Sequence, residues 1–275
     1  MELESKCFAD YNVYGDSIVN FIKMGDIIEI KYITAKNSQG HIQKLNVDEY
    51  VNLETGEICN FNYCENRGEN MASIRNSITK LRRLINNNFS GGKNELWITL
   101  TFGKNKIYEP NELCSLFEKF IKRLRYFLKN QIIDYIYVPE PHEKGDWHIH
   151  LLLKSNKTLY ISNADLNKIW GHGFVKVNRL KDIDNIGAYV SSYLINIKEG
   201  ENSKKGARLY LYPPQHKLYR CSKGIKHPEV IEMTYNEAKS YVREDKLTYK
   251  KTLHIDNFEG FSSLIHTESY NLRRK

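Results

Sequence analysis

The sequence predicts an α+β protein built on an antiparallel sheet of the split β-α-β kind, with helices on one face and a metal site on the open face. Three observations predict it. From residue 95 onward, segments of period 2 alternate with segments of period 3.6 in the order β-α-β-β-α-β-α. The two central strands are joined by PHEKG, a hairpin spacing with Gly145 where a short loop needs a left-handed residue. Two histidines, His148 and His150, stand one residue apart in an apolar run, so they share one side of a strand.

Each element follows from its residues. Residues 1–66 read as a β-containing N-terminal extension: 26–35 (DIIEIKYITA) alternates as a strand, and 52–58 (NLETGEI) is a turn leading into another. A core follows over 67–200. Met71, Ile74, Ile78, Leu81, Leu84 and Ile85 recur at helical spacing, and that helix ends near NNNFSGG. Residues 95–102 (ELWITLTF) are a strand rich in β-branched and aromatic side chains. Residues 110–130 form an amphipathic helix with Leu113, Phe117, Phe120, Leu124 and Phe127 on one face. Its other face carries Lys119, Lys122, Arg123 and Lys129, ordinarily a solvated face, with DNA contact the sharper alternative. Strands follow at 132–140 and 146–154, a short helix capped by Ser162 at 162–170, a strand at 173–180 and a helix at 184–198. The first six elements from residue 95 match a ferredoxin-like arrangement.

Composition narrows the partners. The 275 residues carry a net charge of +8 and an isoelectric point near 9.0, which point to a polyanion. Five cysteines form no even framework, and the C-x4-C at Cys59 and Cys64 lacks the second pair a zinc site needs. Reduced thiols in a cytoplasmic protein are expected. The N-terminus MELESKCFADYN has neither the basic nor the apolar region of a signal peptide, and no apolar run reaches the ~20 residues of a membrane helix.

The hairpin register can be worked out in advance. A loop of Glu143, Lys144 and Gly145 sets His142 opposite Asp146, Glu140 opposite His148 and Val138 opposite His150. An isolated His-x-His is more often two hydrogen-bonded histidines than a ligand pair. Here three positions agree in parity, since Glu140, His148 and His150 fall on one face. Two imidazoles and a carboxylate suit Mn²⁺ or a related divalent ion, with Mg²⁺ the alternative. A second constellation is AYVSSYL, in which Tyr189 and Tyr193 lie one helical turn apart. Such a pair is most often core packing, yet a tyrosine hydroxyl can act as a covalent nucleophile beside a metal. Gly187 next to them costs roughly 1 kcal/mol of helix propensity, a hint of close approach.

The ordered set WITLTF (97–102), EKGDWHIHLLL (143–153) and YVSSY (189–193) resembles the three motifs of HUH endonucleases of the rolling-circle replication initiator (Rep) family of small plasmids and phages. WGHGFVKVN (170–178) resembles the segment joining the second and third, so the likeness covers about 95–198. It implies an HUH-type fold, with Glu140, His148 and His150 holding Mn²⁺ or Mg²⁺ and Tyr189 or Tyr193 attacking the scissile phosphate. The products implied are a 5′-phosphotyrosine and a 3′-OH that primes synthesis, with later rejoining of the strand. Single-stranded or cruciform origin DNA is the implied substrate. Relatives carry a lysine three residues after each tyrosine, whereas this chain has Ser192 and Asn196. No G-x-x-x-x-G-K-[ST] occurs, so a host helicase and host replication machinery are expected partners.

Relaxases and single-tyrosine transposases share the histidine pair, but relaxases place the tyrosine before it, and transposases of this type are usually smaller. From another class, a non-catalytic single-strand binder could stack bases on Trp97, Tyr135 and Tyr137. Residues 201–275 read as a basic C-terminal extension. Its stretch 204–228 interleaves tyrosines with cations and offers Lys204, Lys205 and Arg208 to DNA, although such segments also arise as ordinary hairpins.

Overall fold

The computed structural model describes residues 4–8, 11–35, 42–129, 131–180, 185–194, 208–214, 216–256 and 262–274. The chain begins with β1 (Glu4–Phe8), β2 (Ile18–Met24), β3 (Ile27–Ile33), β4 (Ile42–Lys44), β5 (Glu49–Asn52) and β6 (Ile58–Asn60). Next come α1 (Met71–Asn88), β7 (Glu95–Leu100), α2 (Pro110–Leu128), β8 (Ile133–Pro141) and β9 (Trp147–Ser155). After these lie α3 (Asn163–Trp170), β10 (Val175–Arg179), α4 (Ile186–Leu194) and β11 (Arg220–Cys221). The order closes with β12 (Val230–Thr234), α5 (Tyr235–Ser240), β13 (Leu247–Asp256) and β14 (Ser262–Asn271). The protein is α+β, with antiparallel sheets.

Two compact units divide the chain: Cys64–Pro228, and Met1–Tyr63 together with Glu229–Lys275. The sequence boundaries at 66/67 and 200/201 therefore shift. Residues up to Pro228 join the central unit, and the remaining C-terminal strands join the N-terminal ones.

The central unit holds a five-stranded sheet in the order β10-β7-β9-β8-β11. Its first four positions are the split β-α-β order, and β11 adds an edge strand pairing Arg220 with Tyr137. Local chemistry sets the ends of its helices. Asn70 caps α1 by accepting from the Ser73 N–H, Pro110 opens α2, and Ser162 accepts from the Asp165 N–H to start α3. Gly171 ends α3 with φ 71°, a left-handed residue at a helix C-terminus. On α2, Leu113, Phe117, Phe120 and Leu124 are buried as expected, each full burial contributing ~1.5–3 kcal/mol. Phe127 is exposed instead, because Ile121 and Leu128 complete the buried stripe and leave it on the margin.

Strand alternation decides which helix covers which face. Tyr137 lies opposite Leu151, and its ring sits 3.9 Å from that of Phe117 on α2. That face, with Trp147, Ile149, Leu151 and Leu153, also meets α3, where Trp170 packs on Phe102 and Phe120. Lys154 belongs to the other face, the one bearing His148 and His150, and its amine reaches Asn88 at the end of α1. Helix α4 packs on α1 at Gly187, where a Cβ would come within 2.4 Å of the Arg82 carbonyl oxygen. The face read as open thus carries α1 and α4 beside the histidines. Helical periodicity identifies a buried stripe but not the sheet face it meets.

The other unit contains a six-stranded sheet in the order β1-β13-β14-β3-β2-β12 and a three-stranded sheet β4-β5-β6. The expected strand at 26–35 is β3, and the turn at 52–58 joins β5 to β6 with Gly56 at φ 74°. Strands β1, β2 and β12 to β14 were not foreseen. Inside the larger sheet Glu268 is 1% exposed, accepting from the hydroxyls of Tyr235 (3.0 Å) and Tyr270 (2.5 Å) beside His266 and Lys239. Burial alone would raise its pKa. The hydrogen bonds from His266 and Tyr270, the attraction of Lys239 and the Tyr235 hydroxyl override that and hold it at about 2.

A carboxylate depressed in the folded state stabilises above its ordinary pKa, and that stability is lost as pH falls toward 2. The shift corresponds to on the order of 3 kcal/mol. Urea unfolding between pH 5 and pH 2 should therefore steepen in the wild type relative to Glu268→Gln, and parallel curves would remove Glu268 from the acid limb.

Candidate metal centre and the tyrosine helix

The β8–β9 hairpin has the anticipated register: Glu140 pairs with His148, Val138 with His150 and Pro141 with Trp147. The His142 N–H donates to the Asp146 carbonyl at 2.7 Å, and Gly145 takes φ 85° in the loop. Glu140 Oε2 lies 3.3 Å from His148 Nε2 and 3.0 Å from His150 Nε2, and the two nitrogens are 3.0 Å apart. Neighbouring ligands around an ion with bonds of ~2.1 Å are themselves ~3 Å apart. These three residues are the group of described residues whose ligand atoms could hold a metal ion.

The surroundings suit that use. Thr99 Oγ1 is 3.3 Å from His150 Nδ1, a contact that leaves the Nε2 lone pair aimed at the cluster when Nδ1 carries the proton. His148 Nδ1 is buried and has no hydrogen-bond partner, and its ring stacks on His142 at 4.2 Å. His142 is in turn held by Asp146, which also binds Lys106 at 2.9 Å. Burial pushes the Glu140 carboxyl up, but the hydrogen bonds and charges of His148 and His150 outweigh it and bring the pKa to about 2. The carboxylate is thus ionised throughout the neutral range. Two imidazole nitrogens and one anionic oxygen make a mixed N/O donor set that fits Mn²⁺ and related ions.

Helix α4 brings a tyrosine to the same face. Asn185 accepts from the Ala188 N–H, and Asn86 of α1 accepts from the Gly187 N–H at 2.7 Å, fixing the start of the helix. The close approach inferred from Gly187 is real, since backbone and the Asn86 side chain leave no room for a Cβ. Tyr189, 43% exposed, sets its ring perpendicular to Trp97 at 5.6 Å, and Trp97 lies 6.4 Å from the His150 ring. One indole therefore separates the phenol from the metal-binding imidazole. Tyr193 lies on the backbone of α4 one turn later, and Ser192 donates to the Tyr189 carbonyl.

The expected DNA contacts are spread out. Lys119, Lys122 and Arg123 stand on α2, across the sheet from the triad, and Arg123 donates to the Trp170 carbonyl. Arg208 is close to the hairpin, donating to the Pro141 carbonyl at 3.1 Å. Lys204, Lys205 and Asn196 lie outside the described residues. Tyr135 and Tyr137 turn away from the triad, because their parity is that of Leu153 and Leu151. They offer no stacking platform on that face. The sequence reading missed Thr99, His142 and Asp146. Thr99 was findable by pairing β7 with β9, and His142 and Asp146 were already opposite one another in the hairpin register.

Residues 95–198 match the family model of replication-associated proteins of the ORF2 type. The matched stretch runs from β7 through α4 and contains Glu140, both histidines and both tyrosines. It supports a Rep-like replication-associated protein that works on DNA, with a nuclease-like site. No curated protein and no solved structure matches the chain. No helix among the described residues is long and apolar enough to cross a membrane.

If the triad is the metal site, Mn²⁺ at a hundred times its Kd should raise unfolding free energy by roughly 2.7 kcal/mol. Thermal melts of His148→Ala and His150→Ala should lose most of that gain, and an undiminished gain would place the ion elsewhere.

Proposed function

We propose that this protein is a rolling-circle replication initiator that nicks one strand of single-stranded or cruciform origin DNA through a tyrosine and later rejoins it. The observation that carries the reading is the convergence of Glu140 Oε2, His148 Nε2 and His150 Nε2 at about 3 Å, on the sheet face that also presents Tyr189.

A divalent ion bound there would supply Lewis-acid polarisation of a non-bridging oxygen of the scissile phosphate. The rest falls to the chain. Tyr189 Oη forms a bond to phosphorus as the bond from phosphorus to the 3′ oxygen breaks. The phenol loses a proton, the departing oxygen gains one, and the strand ends as a 5′-phosphotyrosine and a 3′-OH. One phosphate ester replaces another, so no nucleoside triphosphate is consumed. Trp97 orients the phenol edge-on, a ring contact contributing ~0.5–1.5 kcal/mol, and Thr99 sets the tautomer of His150. Tyr193 is the candidate for the second transfer that ends a round. The chain acts in the cytoplasm with a host helicase and host replication machinery, Arg208 and the cations at 204 and 205 adding contacts to the DNA backbone.

The alternative of a non-catalytic single-strand binder loses the aromatic surface it needed, since Tyr137 is buried under α2 and Tyr135 packs against Phe117. Metal-dependent nicking separates the two readings.

Tyr189→Phe keeps the ring against Trp97 and removes the attacking oxygen. Incubated with single-stranded origin oligonucleotides and Mn²⁺, it should form no covalent adduct while melting as the wild type does. Peptide sequencing of the wild-type adduct should return Tyr189, and an adduct on Tyr193 alone would reverse the assignment. His148→Ala and His150→Ala should abolish cleavage yet keep most of the DNA affinity, because backbone charge contacts supply it. Cleavage at the wild-type rate by the double variant would sink the metal mechanism.

A further inference from the structure

A second cationic site lies at the outer edge of the nuclease sheet, apart from the triad. The segment around β11 is fastened there by its own polar groups. The Ser222 N–H donates to the Tyr135 carbonyl at 2.9 Å, the Tyr135 N–H donates to Ser222 Oγ at 3.0 Å, and Ser222 Oγ donates to Asp134 at 2.8 Å. The Arg67 N–H donates to the Tyr212 carbonyl at 3.1 Å and brings its side chain to the same place. Between them is a cleft of about 580 Å³ lined by Arg67, His216, Arg220, Tyr135 and Tyr219, with Lys80 and Lys217 also on its walls. Glu118 is the one acidic residue on the described lining.

Three nitrogens in this cleft are buried without a hydrogen-bond partner: Nε of Arg67, Nε of Arg220 and Nε2 of His216. Each such group costs ~1–3 kcal/mol if left unmet, so three at one place are not incidental packing. They also face one another. Burial, then the charges of Arg220 and Arg67, lower the pKa of His216, which places two guanidiniums beside a neutral imidazole with no carboxylate between them. Guanidinium groups pair with phosphate through parallel N–H donors, and the tyrosines offer apolar walls for a sugar or a base.

We propose that this cleft binds the phosphate of a nucleotide, held by Arg67, Arg220 and His216 with its nucleoside against Tyr135 and Tyr219. The nucleotide is either free or part of a DNA strand. A strand is within reach of both sites, because Tyr137, the partner of Arg220, is three residues along β8 from Glu140, or ~10 Å.

Calorimetric titration of the full chain in EDTA tests this without metal or strand transfer, so its failure would leave the tyrosine chemistry standing. Thymidine 5′-monophosphate should bind saturably, and thymidine at least tenfold more weakly. Arg220→Gln should weaken the monophosphate tenfold or more, with its circular dichroism checked against the wild type. Glu118→Gln changes an exposed helix position, leaves folding intact and should tighten binding severalfold. A twelve-residue oligothymidylate that displaces the monophosphate assigns the site to a DNA strand, and one that fails to displace it assigns the site to a free nucleotide. No saturable binding of the monophosphate, equal binding of thymidine, or an unchanged affinity in Glu118→Gln would overturn the proposal.

Discussion

The β8–β9 hairpin holds the functional half of this protein together through one constraint, the strict alternation of sides along paired antiparallel strands. Once Gly145 turns the loop, opposite positions are fixed, and Glu140 has nowhere to point except at His148. A slip of one residue would send all three ligands to the side of α2 and bury them among Phe117 and Phe120 with nothing to pair with. The apolar set Trp147, Ile149, Leu151 and Leu153 prevents that slip, since it would be driven out toward the solvent-facing side at the same time. The metal cluster therefore needs no local stabilisation of its own. It is held by the hydrophobic core on the reverse of the same two strands.

Much of the candidate site was legible for this reason. A period of two, a turn residue and a pair of histidines are local facts, and local facts survive in a single sequence. The same holds for α2 and α3, whose caps and apolar stripes are written within a few residues of each helix. Which face a helix covers is a different kind of fact. Helices α1 and α2 have equally plain stripes, yet they lie on opposite sides of the sheet, and only Lys154 reaching Asn88 and Phe117 reaching Tyr137 tell them apart. That distinction also removed the supposed stacking platform at Tyr135 and Tyr137, and set Lys119, Lys122 and Arg123 far from the triad.

The other unit was the least legible part. Its sheet pairs β3 with β14 and β1 with β13, and the Ser263 hydroxyl bonds to the Ala35 carbonyl across most of the chain length. No window of sequence contains both partners. Its centre is also misleading in composition, because Glu268, His266, Lys239 and two tyrosines read as surface residues. In the fold they satisfy one another inside.

That interleaving has a consequence for how the protein comes into being on the ribosome. Strands β2 and β3 emerge early, but the neighbour that completes their sheet on one side, β14, is made about two hundred residues later. At bacterial and eukaryotic synthesis rates that delay is on the order of ten to forty seconds. The central unit, contiguous from Cys64 to Pro228, has all its strands available well before then. A nascent chain therefore carries a complete nuclease-like core while its first strands still wait, with exposed edges, for their partners. Synthesis order makes the early strands the vulnerable part of the polypeptide and the catalytic core the part that is safe first.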